Sequence, residues 1–324
     1  MTPAIWALEV EGGLLGPATD DRIPEPAIRR IQAAMGEPGR RLVFFSTLPL
    51  GEVYGLLVQA FGRGFLASGR VAVVYDRGAG VFFPGPVRNK LQRFAELDPR
   101  LLMTFERART RLFESCSAEL GWSCFNYHVA GYAFSLGIRP NAPETRPEAL
   151  EVTARAAPFL LSLVAEAALD ELPAPLGRHP AAQLERQARR ELLFQGLSAE
   201  LLARQPELAG VLEPPEEVFL EPPDWLAVDL DVRPGAEAVL RARRLEFAGA
   251  LEDAARRWKI AEARYFLLAG SRHALALVER ARAGLACPED APLALRQAAG
   301  AAGGVCFPPG RPERGLDLGA SSRV

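Results

Sequence analysis

The sequence contains few lysines, cysteines and histidines, and each shortage removes a class of site. Only Lys90 and Lys259 are lysines among the 38 basic residues, and neither lies in the glycine-rich pattern of a P-loop. The four cysteines include no CxxC pair, and the three histidines include no HExxH pair. We therefore expect neither a P-loop nucleotide site nor a structural zinc site nor a disulfide framework.

Long apolar runs and a strong net charge are also missing. No apolar stretch reaches the roughly 18 residues that a membrane helix needs, since even residues 157–169 contain Glu166. The formal net charge of −2 argues against a strongly basic nucleic-acid-binding protein. The opening MTPAIWALEVEGG lacks the basic segment of a secretory signal. We expect a cytoplasmic protein without nucleic-acid or membrane partners.

The rest of the composition is that of a globular protein. The chain has 324 residues, of which 49% are hydrophobic and 24% charged, which suggests two domains or one domain with a large insertion. The preference for arginine over lysine, with abundant alanine, glycine and proline, indicates a bacterial-type GC-rich composition rather than a function.

The first 84 residues alternate between two periodicities. Apolar runs at 4–10, 41–46 and 71–75 predict three buried strands, and the segments 23–35 and 51–61 have the spacing of helices. Strand–helix alternation of this kind implies right-handed crossovers and a parallel sheet covered on both faces.

The pattern changes near residue 85 and returns near residue 232. Between them the spacing predicts mainly helices, at 90–118, 147–172 and 180–203, with strand-like segments at 121–136 and 225–232. After the insertion the predicted elements are a helix at 237–258, a strand at 264–269, helices at 272–283 and 293–299, and a strand at 304–307.

We therefore predict an α/β fold whose Rossmann-like parallel sheet, with helices on both faces, is formed by residues 1–84 and 232–310. A large, mostly helical α+β insertion at 85–231 interrupts this domain. Residues 311–324 are polar and rich in glycine, which predicts a loose tail.

Four segments at strand or helix ends carry candidate functional residues. Glu9, Glu11 and Gly12 follow the first strand, and Ser46 and Thr47 end the second. The segment 247–251 (FAGAL) and the segment 270–275 (GSRHAL) flank the strand at 264–269. Because the carboxyl ends of parallel strands meet at one sheet edge, ligands bind there in open α/β sheets.

In this order and layout the chain resembles the haloacid dehalogenase (HAD) superfamily, in the Cof-like and trehalose-phosphate phosphatase-like branch whose cap is inserted after the third strand. The family's first motif, DxDGT, supplies an aspartate that attacks phosphorus and binds Mg²⁺, and a second aspartate that protonates the leaving group. The resemblance places Glu9 and Glu11 there, each one methylene longer than aspartate. The second motif binds the phosphoryl oxygens, and Thr47 or Ser46 fits it.

The third and fourth motifs are degenerate. The family's lysine falls at or near Phe247, so that Arg243 or Arg244 would have to supply the cation, although an arginine fork differs from a compact ammonium. The acids of the fourth motif, GDSxND, are replaced by Ser271 and Leu275. We hypothesise that Arg272 pairs with Glu9 or Glu11 where Mg²⁺ would lie.

The resemblance implies a catalytically inactive phosphatase homologue, a pseudophosphatase without a cofactor or metal site, that binds a partner protein or a phosphorylated ligand. In that case Thr47, Ser46, Gly12, Arg243 and Arg244 would contact a phosphate. One alternative is a divergent Mg²⁺-dependent phosphomonoesterase acting on a sugar phosphate or similar ester, with Glu9 as nucleophile and Glu11 as acid. Another is a structural subunit, or a homodimer joined through the cap.

Three groups of residues also have plainer interpretations. Glu9 and Glu11 could be solvated carboxylates on a loop. The cluster Trp122, Phe125, Tyr127 and His128 could face a ligand, but aromatic residues of this kind more often lie in a core. The arginine-rich segment 186–190 is typical of a solvated helix face, and it could also contact a partner.

Overall fold

The computed structural model describes residues 4–16, 22–93, 97–130, 133–141, 149–173, 180–233, 237–242, 247–260 and 264–321. Its strands are β1 (Ala4–Glu9), β2 (Arg41–Phe45), β3 (Val71–Tyr75), β4 (Gly80–Phe83), β5 (Lys90–Arg93), β6 (Trp122–Ala130), β7 (Ala133–Pro140), β8 (Val228–Arg233), β9 (Glu237–Ala242), β10 (Arg264–Leu268), β11 (Gly284–Pro288) and β12 (Val305–Phe307). Its α-helices are α1 (Glu25–Ala34), α2 (Leu50–Phe61), α3 (Arg63–Leu66), α4 (Pro99–Glu119), α5 (Ala149–Ala168), α6 (Pro180–Arg204), α7 (Phe247–Arg257), α8 (Leu293–Ala301) and α9 (Pro312–Ser321).

The first of two compact units comprises Met1–Phe94 and Leu245–Val324. Its eight-stranded sheet has the order β12-β11-β10-β1-β2-β3-β4-β5. The six strands from β12 to β3 are parallel, and β4 and β5 extend the sheet in antiparallel pairing. β1 lies between β10 and β2, so the loops after these three strands meet at one edge.

Both faces of this sheet are covered by helices. Neighbouring residues of β2 point to opposite faces: Phe44 packs against Phe61 of α2, with ring centroids 5.2 Å apart, and Phe45 packs against Phe247 of α7 at 4.9 Å. A strand buried on both sides has no polar face, which explains its continuous apolar run. The predicted α/β sheet with helices on both faces is confirmed.

The second unit, Ala95–Arg244, has its own four-stranded antiparallel sheet in the order β6-β7-β9-β8. Phe134, Leu136 and Ile138 of β7 lie on one face of it and share a hydrophobic core with residues of α4, α5 and α6. The unit is therefore mostly helical with a small sheet, as the sequence predicts for the insertion.

Charged side chains of the second unit pair largely with one another. Arg186 of α6 contacts Asp170 at 2.5 Å, and Arg190 lies 4.0 Å from Glu166 of α5. These pairs favour the solvated-face interpretation of the arginine-rich segment. Within the described ranges, none of the helices combines the length and the apolar character needed to cross a bilayer.

Several predicted elements are wrong in type or extent. The predicted helix at 237–258 is two elements, because Ala238 and Leu240 of β9 face the core of the second unit while β9 pairs with β7 and β8. The predicted helix at 90–118 begins only at Pro99, where the Asp98 carboxylate accepts a hydrogen bond from the Arg100 N–H at 2.8 Å.

The predicted loose tail at 311–324 is a further correction. Residues 312–321 form α9, which packs against α1 and β11. Leu316 is fully buried, and Asp317 pairs with Arg30 of α1 at 3.0 Å. One buried leucine is a weak signal for a helix in a segment rich in glycine and charge. The structure divides the chain after residues 94 and 244, whereas the sequence predicts boundaries after residues 84 and 231.

The loops after β1 and β10 touch backbone to backbone. A Cβ placed on Gly270 would lie 1.8 Å from the carbonyl oxygen of Gly12, closer than any real contact. Gly12 itself has a φ of +79°, which favours glycine. Only glycine at position 270 therefore allows the two loops to approach this closely.

Replacing Gly270 with alanine should destabilise the first unit by about 2 kcal/mol or more, because the added methyl group meets backbone that cannot move aside. Gly249 provides a matched control, since it is exposed on α7 and an added Cβ meets nothing within 4 Å. Gly249→Ala should stabilise by about 0.5–1 kcal/mol. Urea unfolding of both variants measures this difference, and equal stabilities would contradict the close approach.

Candidate functional site

Glu9 is the last residue of the central strand β1 and lies at the carboxyl edge of the sheet. Its side chain is buried, with only 1% of the residue exposed. The loop that follows turns back on it, because the N–H of Leu14 donates to the Glu9 carbonyl oxygen at 2.9 Å. The interpretation of Glu9 as a solvated loop carboxylate is therefore wrong.

Both carboxylate oxygens of Glu9 accept hydrogen bonds from the loop after β10. The N–H groups of Gly270 and Ser271 donate to Oε2 at 2.7 and 2.8 Å. The Ser271 hydroxyl donates to Oε1 in a short contact. The structure thus brings Glu9 and Ser271 together, as the alignment of the first and fourth motifs requires.

Burial and hydrogen bonding act in opposite directions on the Glu9 carboxyl. Burial raises its pKa from 4.5 to about 7, and the nearby Glu11 charge adds a smaller increase. The hydrogen bonds from Ser271 and Gly270 lower the pKa but do not offset burial. Glu9 is therefore partly protonated near neutral pH.

Glu11 makes a similar connection to the loop after β2. Its Oε1 accepts hydrogen bonds from the Thr47 N–H at 3.1 Å and from the Thr47 hydroxyl at 2.8 Å. Ser46 is buried, and its hydroxyl oxygen accepts the Leu48 N–H at 2.9 Å. The donors of Thr47 that the resemblance assigns to a phosphoryl group thus point to a carboxylate of the same chain.

A basic residue that was not predicted from the sequence also lies at this edge. Arg77 lies in the turn directly after β3 and is buried. Its backbone N–H donates to the Ser46 carbonyl oxygen at 3.1 Å. Its Nη2 lies 2.8 Å from Nδ1 of His273. Because a guanidinium only donates, Nδ1 accepts this bond and the neutral ring carries its proton on Nε2.

The backbone of this turn is strained. Asp76 and Arg77 have φ values of +46° and +57°, which are rare for residues with side chains. Two charged residues immediately after the fully buried run Val71–Tyr75 were the available sequence signal. Arg77 supplies a buried cation at the sheet edge. It follows β3, whereas the position of the family's lysine is at the start of α7.

The degenerate motif positions have structural roles or lie outside the description. Phe247 begins α7 and packs on Phe45, so an aromatic core contact stands where the family has a lysine. Leu275 packs against the same hydrophobic core from the 3₁₀ helix Arg272–Arg280. Arg243 and Arg244 lie outside the described residues, and so does the side chain of Arg272 with its proposed pairing.

The structure describes one side chain of the aromatic cluster in the second unit. Trp122 is buried in the hydrophobic core of that unit, which confirms the core interpretation for this residue. The side chains of Phe125, Tyr127 and His128 lie outside the described part of the structure.

The residues at the sheet edge do not fit the Mg²⁺ ion that active HAD phosphatases use. Mg²⁺ requires several oxygen ligands in near-octahedral geometry, but both oxygens of Glu9 are engaged, and Ser271 and Leu275 replace the acids of the fourth motif. Oε2 of Glu11 is buried without a hydrogen-bond partner in the described ranges, and one such oxygen is insufficient. The described residues contain no group of three or more His, Cys, Asp or Glu that could hold a metal.

The raised pKa of Glu9 makes stability depend on pH. The folded chain keeps the Glu9 proton up to about pH 7, whereas an unfolded glutamate with a pKa of 4.5 has lost it. The free energy of unfolding contributed by this group is therefore full below pH 4.5 and is lost as pH rises through 7. Glu9→Gln removes the charge, while its amide oxygen can accept the two N–H bonds and its NH₂ group can donate to the Ser271 hydroxyl. Its stability relative to the unmodified chain should therefore rise by up to about 3 kcal/mol between pH 4.5 and 8.

Denaturant unfolding of both proteins at the two pH values measures this change. Glu25→Gln is the matched control, because Glu25 is exposed on α1 and forms a surface pair with Arg29. The control should shift stability by less than about 0.5 kcal/mol at either pH. A Glu9→Gln difference that is the same at both pH values would contradict a buried, protonated Glu9.

Comparisons with known proteins agree with this architecture. No family model and no curated protein matches the sequence. Among solved structures, a haloacid dehalogenase-like hydrolase from Bacteroides thetaiotaomicron aligns with a TM-score of 0.52 and 12% identity over 98% of each chain. A protein from Plasmodium vivax described as a HAD/Cof-like hydrolase aligns with a TM-score of 0.54 and 8% identity, over 98% of this chain and 95% of the other.

These structural alignments show a common fold. At sequence identities this low they carry no information about activity. The alignments span both units, and the resemblance derived from the motifs points to the same family. The chain therefore has the fold of the haloacid dehalogenase superfamily.

Proposed function

We propose that this chain does not hydrolyse phosphate esters by the HAD mechanism and that it acts by binding a partner protein. The observation that carries the proposal is the engagement of both Glu9 oxygens by Gly270 and Ser271. A carboxylate nucleophile has to present a free oxygen in line with the phosphorus atom. Glu9 is 1% exposed and has no such oxygen.

The protonation of Glu9 supports the same proposal. Burial raises its pKa to about 7, so that a substantial fraction carries a proton at neutral pH. A protonated carboxyl is a poor nucleophile and a poor metal ligand. The carboxylates that are absent at Ser271 and Leu275 would hold a metal ion in the family, and such a cation would favour the ionised form of Glu9.

The contacts of Glu11 favour a protein partner over a phosphorylated ligand at these residues. The N–H and hydroxyl of Thr47 both donate to Glu11 Oε1, at 3.1 and 2.8 Å. A phosphoryl group would have to displace this carboxylate and would be repelled by its charge. A phosphorylated ligand bound at Thr47 therefore becomes an outcome of the test below.

The partner and the place of contact are part of the proposal. We expect the unit Ala95–Arg244 to provide the contact surface, either for another cytoplasmic protein or for a second copy of this chain. Phe113 on α4 is 55% exposed, which is unusual for a large apolar side chain and supports this assignment.

Phosphatase assays on the purified full chain test the catalytic part. With p-nitrophenyl phosphate and a panel of sugar phosphates, turnover should be no higher than that of Glu9→Gln, with or without Mg²⁺. Glu25→Gln is the matched surface control, and circular dichroism should show that all three proteins are folded. Mg²⁺-dependent turnover that Glu9→Gln loses and Glu25→Gln keeps would establish the divergent phosphatase instead.

Inorganic phosphate, titrated calorimetrically, tests the ligand part. We expect no measurable binding to the unmodified chain, because Glu11 already occupies the donors of Thr47. Binding that Thr47→Val abolishes would favour a phosphorylated ligand over a protein partner.

Light scattering tests the homodimer. The monomer mass is 35.1 kDa, and a doubled mass that Phe113→Ser reduces would support self-association through the second unit. Val87→Ser is the matched control, since Val87 is 97% exposed in the first unit and should leave the mass unchanged. A monomeric chain would exclude the homodimer and leave a different protein as the partner.

A further inference from the structure

Two cysteines face each other on neighbouring strands of the first unit. Cys287 of β11 and Cys306 of β12 are register partners in a parallel pair, so their side chains lie on the same face of the sheet. Their sulfur atoms are 3.7 Å apart. Both are free thiols in this structure.

The two thiols differ in their access to solvent. β12 is the edge strand of the eight-stranded sheet and has only three residues, and Cys306 on it is exposed. Cys287 is fully buried in the hydrophobic core that α8 covers. A small oxidant therefore reaches Cys306 first, with a second thiol already in contact behind it.

We propose that Cys287 and Cys306 are a redox modification site, at which a hydroperoxide such as hydrogen peroxide converts the two thiols to a disulfide that joins β12 to β11. A disulfide needs a sulfur separation of about 2.05 Å. The two sulfur atoms must therefore move closer together than 3.7 Å. This movement is easier for β12 than for a central strand, because β12 is short and is paired with one neighbouring strand.

The chemistry proceeds in two balanced steps. The Cys306 sulfur attacks one peroxide oxygen, the O–O bond breaks, and the products are a sulfenic acid on Cys306 and one water, which takes up the thiol proton. The Cys287 sulfur then attacks the Cys306 sulfur, the S–O bond breaks, and the departing hydroxide leaves as water with the Cys287 proton. Two thiols lose two electrons in total, and one peroxide is reduced to two waters.

Burial assigns the order of the steps. It raises the pKa of Cys287 to about 12, which slows a direct reaction of this thiol with peroxide, and its proton leaves only as the hydroxide departs from Cys306. Cys116 and Cys124 are poorer first targets than the exposed Cys306, because Cys116 is buried and Cys124 half-buried, and burial raises the pKa of both thiols. The pair on β11 and β12 is therefore expected to be oxidised selectively.

The disulfide would fix a wall of a cavity beside the candidate site. This cavity, of about 150 Å³, is lined by Phe307 at the end of β12 and by Pro309 beyond it, and also by Gly12 and Gly270 of the two touching loops. Tethering Cys306 would restrict the segment that carries Phe307 and Pro309. The two thiols would form this disulfide whether or not the chain is a pseudophosphatase.

Peptide mapping of the full chain after peroxide treatment is the decisive test. Trypsin cuts after Arg282, Arg296 and Arg314, and the Arg311–Pro312 bond resists it, so Cys287 and Cys306 fall on the separate peptides 283–296 and 297–314. We expect these two peptides linked, at a mass reduced by two hydrogen atoms, with two of the four thiols lost and both restored by dithiothreitol.

Three variants complete the test. Cys306→Ser should abolish the linked peptide, and the Cys116→Ser/Cys124→Ser double variant, which keeps the pair, should still form it. In Cys287→Ser the sulfenic acid on Cys306 should persist and be trapped by dimedone, several-fold more than in the unmodified chain. Unlinked peptides with Cys306 oxidised to sulfinic or sulfonic acid, or linked peptides found only in covalent dimers, would overturn the proposal.

Amide hydrogen exchange measures the effect on the edge strand. In the oxidised chain, exchange at residues 305–310 should slow several-fold relative to the dithiothreitol-reduced chain, while α4 in the second unit should be unchanged. Unchanged exchange at 305–310 in a protein shown to be cross-linked would refute the tethering of this segment.

Discussion

The buried carboxylate of Glu9 joins the neighbouring strands β1 and β10 of the first unit at their carboxyl ends. Glu9 is the last residue of β1, and its carboxylate accepts three hydrogen bonds from the loop after β10. The donors are the N–H groups of Gly270 and Ser271 and the Ser271 hydroxyl. The bonds are possible because Gly270 approaches Gly12 at backbone contact distance. The same burial that protects these bonds raises the pKa of Glu9 to about 7. Geometry, hydrogen bonding and protonation at this edge are therefore properties of one group.

The proposed absence of phosphatase chemistry rests on one extra methylene in each of two carboxylate side chains. Where HAD phosphatases have aspartates, the longer Glu9 reaches the amides after β10 and the longer Glu11 reaches Thr47 after β2. Each glutamate accepts hydrogen bonds from donors of its own chain, and the donors of Thr47 are those that the resemblance assigns to a phosphoryl group. The fold is unaffected because its strands and helices are held by apolar contacts on both sheet faces, which do not involve these carboxylates.

The sheet could be predicted from the sequence more completely than its surroundings. Apolar runs such as 41–46 are unambiguous because a strand buried on both faces has no polar side. The segment 237–258 was predicted as one helix, but it contains strand β9 and helix α7. The two elements follow each other closely, and the short pattern EAVLRA fits either periodicity. α9 was missed because only its packing against α1 and β11 makes a helix of a glycine-containing tail.

By itself the sequence determined the α/β class, the interruption by a second unit, and the residues that follow β1, β2 and β10, because strand periodicity and chain order are local properties. Tertiary structure decided what those residues do. It buried Glu9, gave its oxygens to Gly270 and Ser271, tied Glu11 to Thr47, and brought Arg77 to His273 across 196 positions of the chain. Burial and hydrogen-bond partners come from groups that are far apart in the sequence. They determine the pKa of a carboxyl group and decide which of its oxygen atoms are left to bind a ligand.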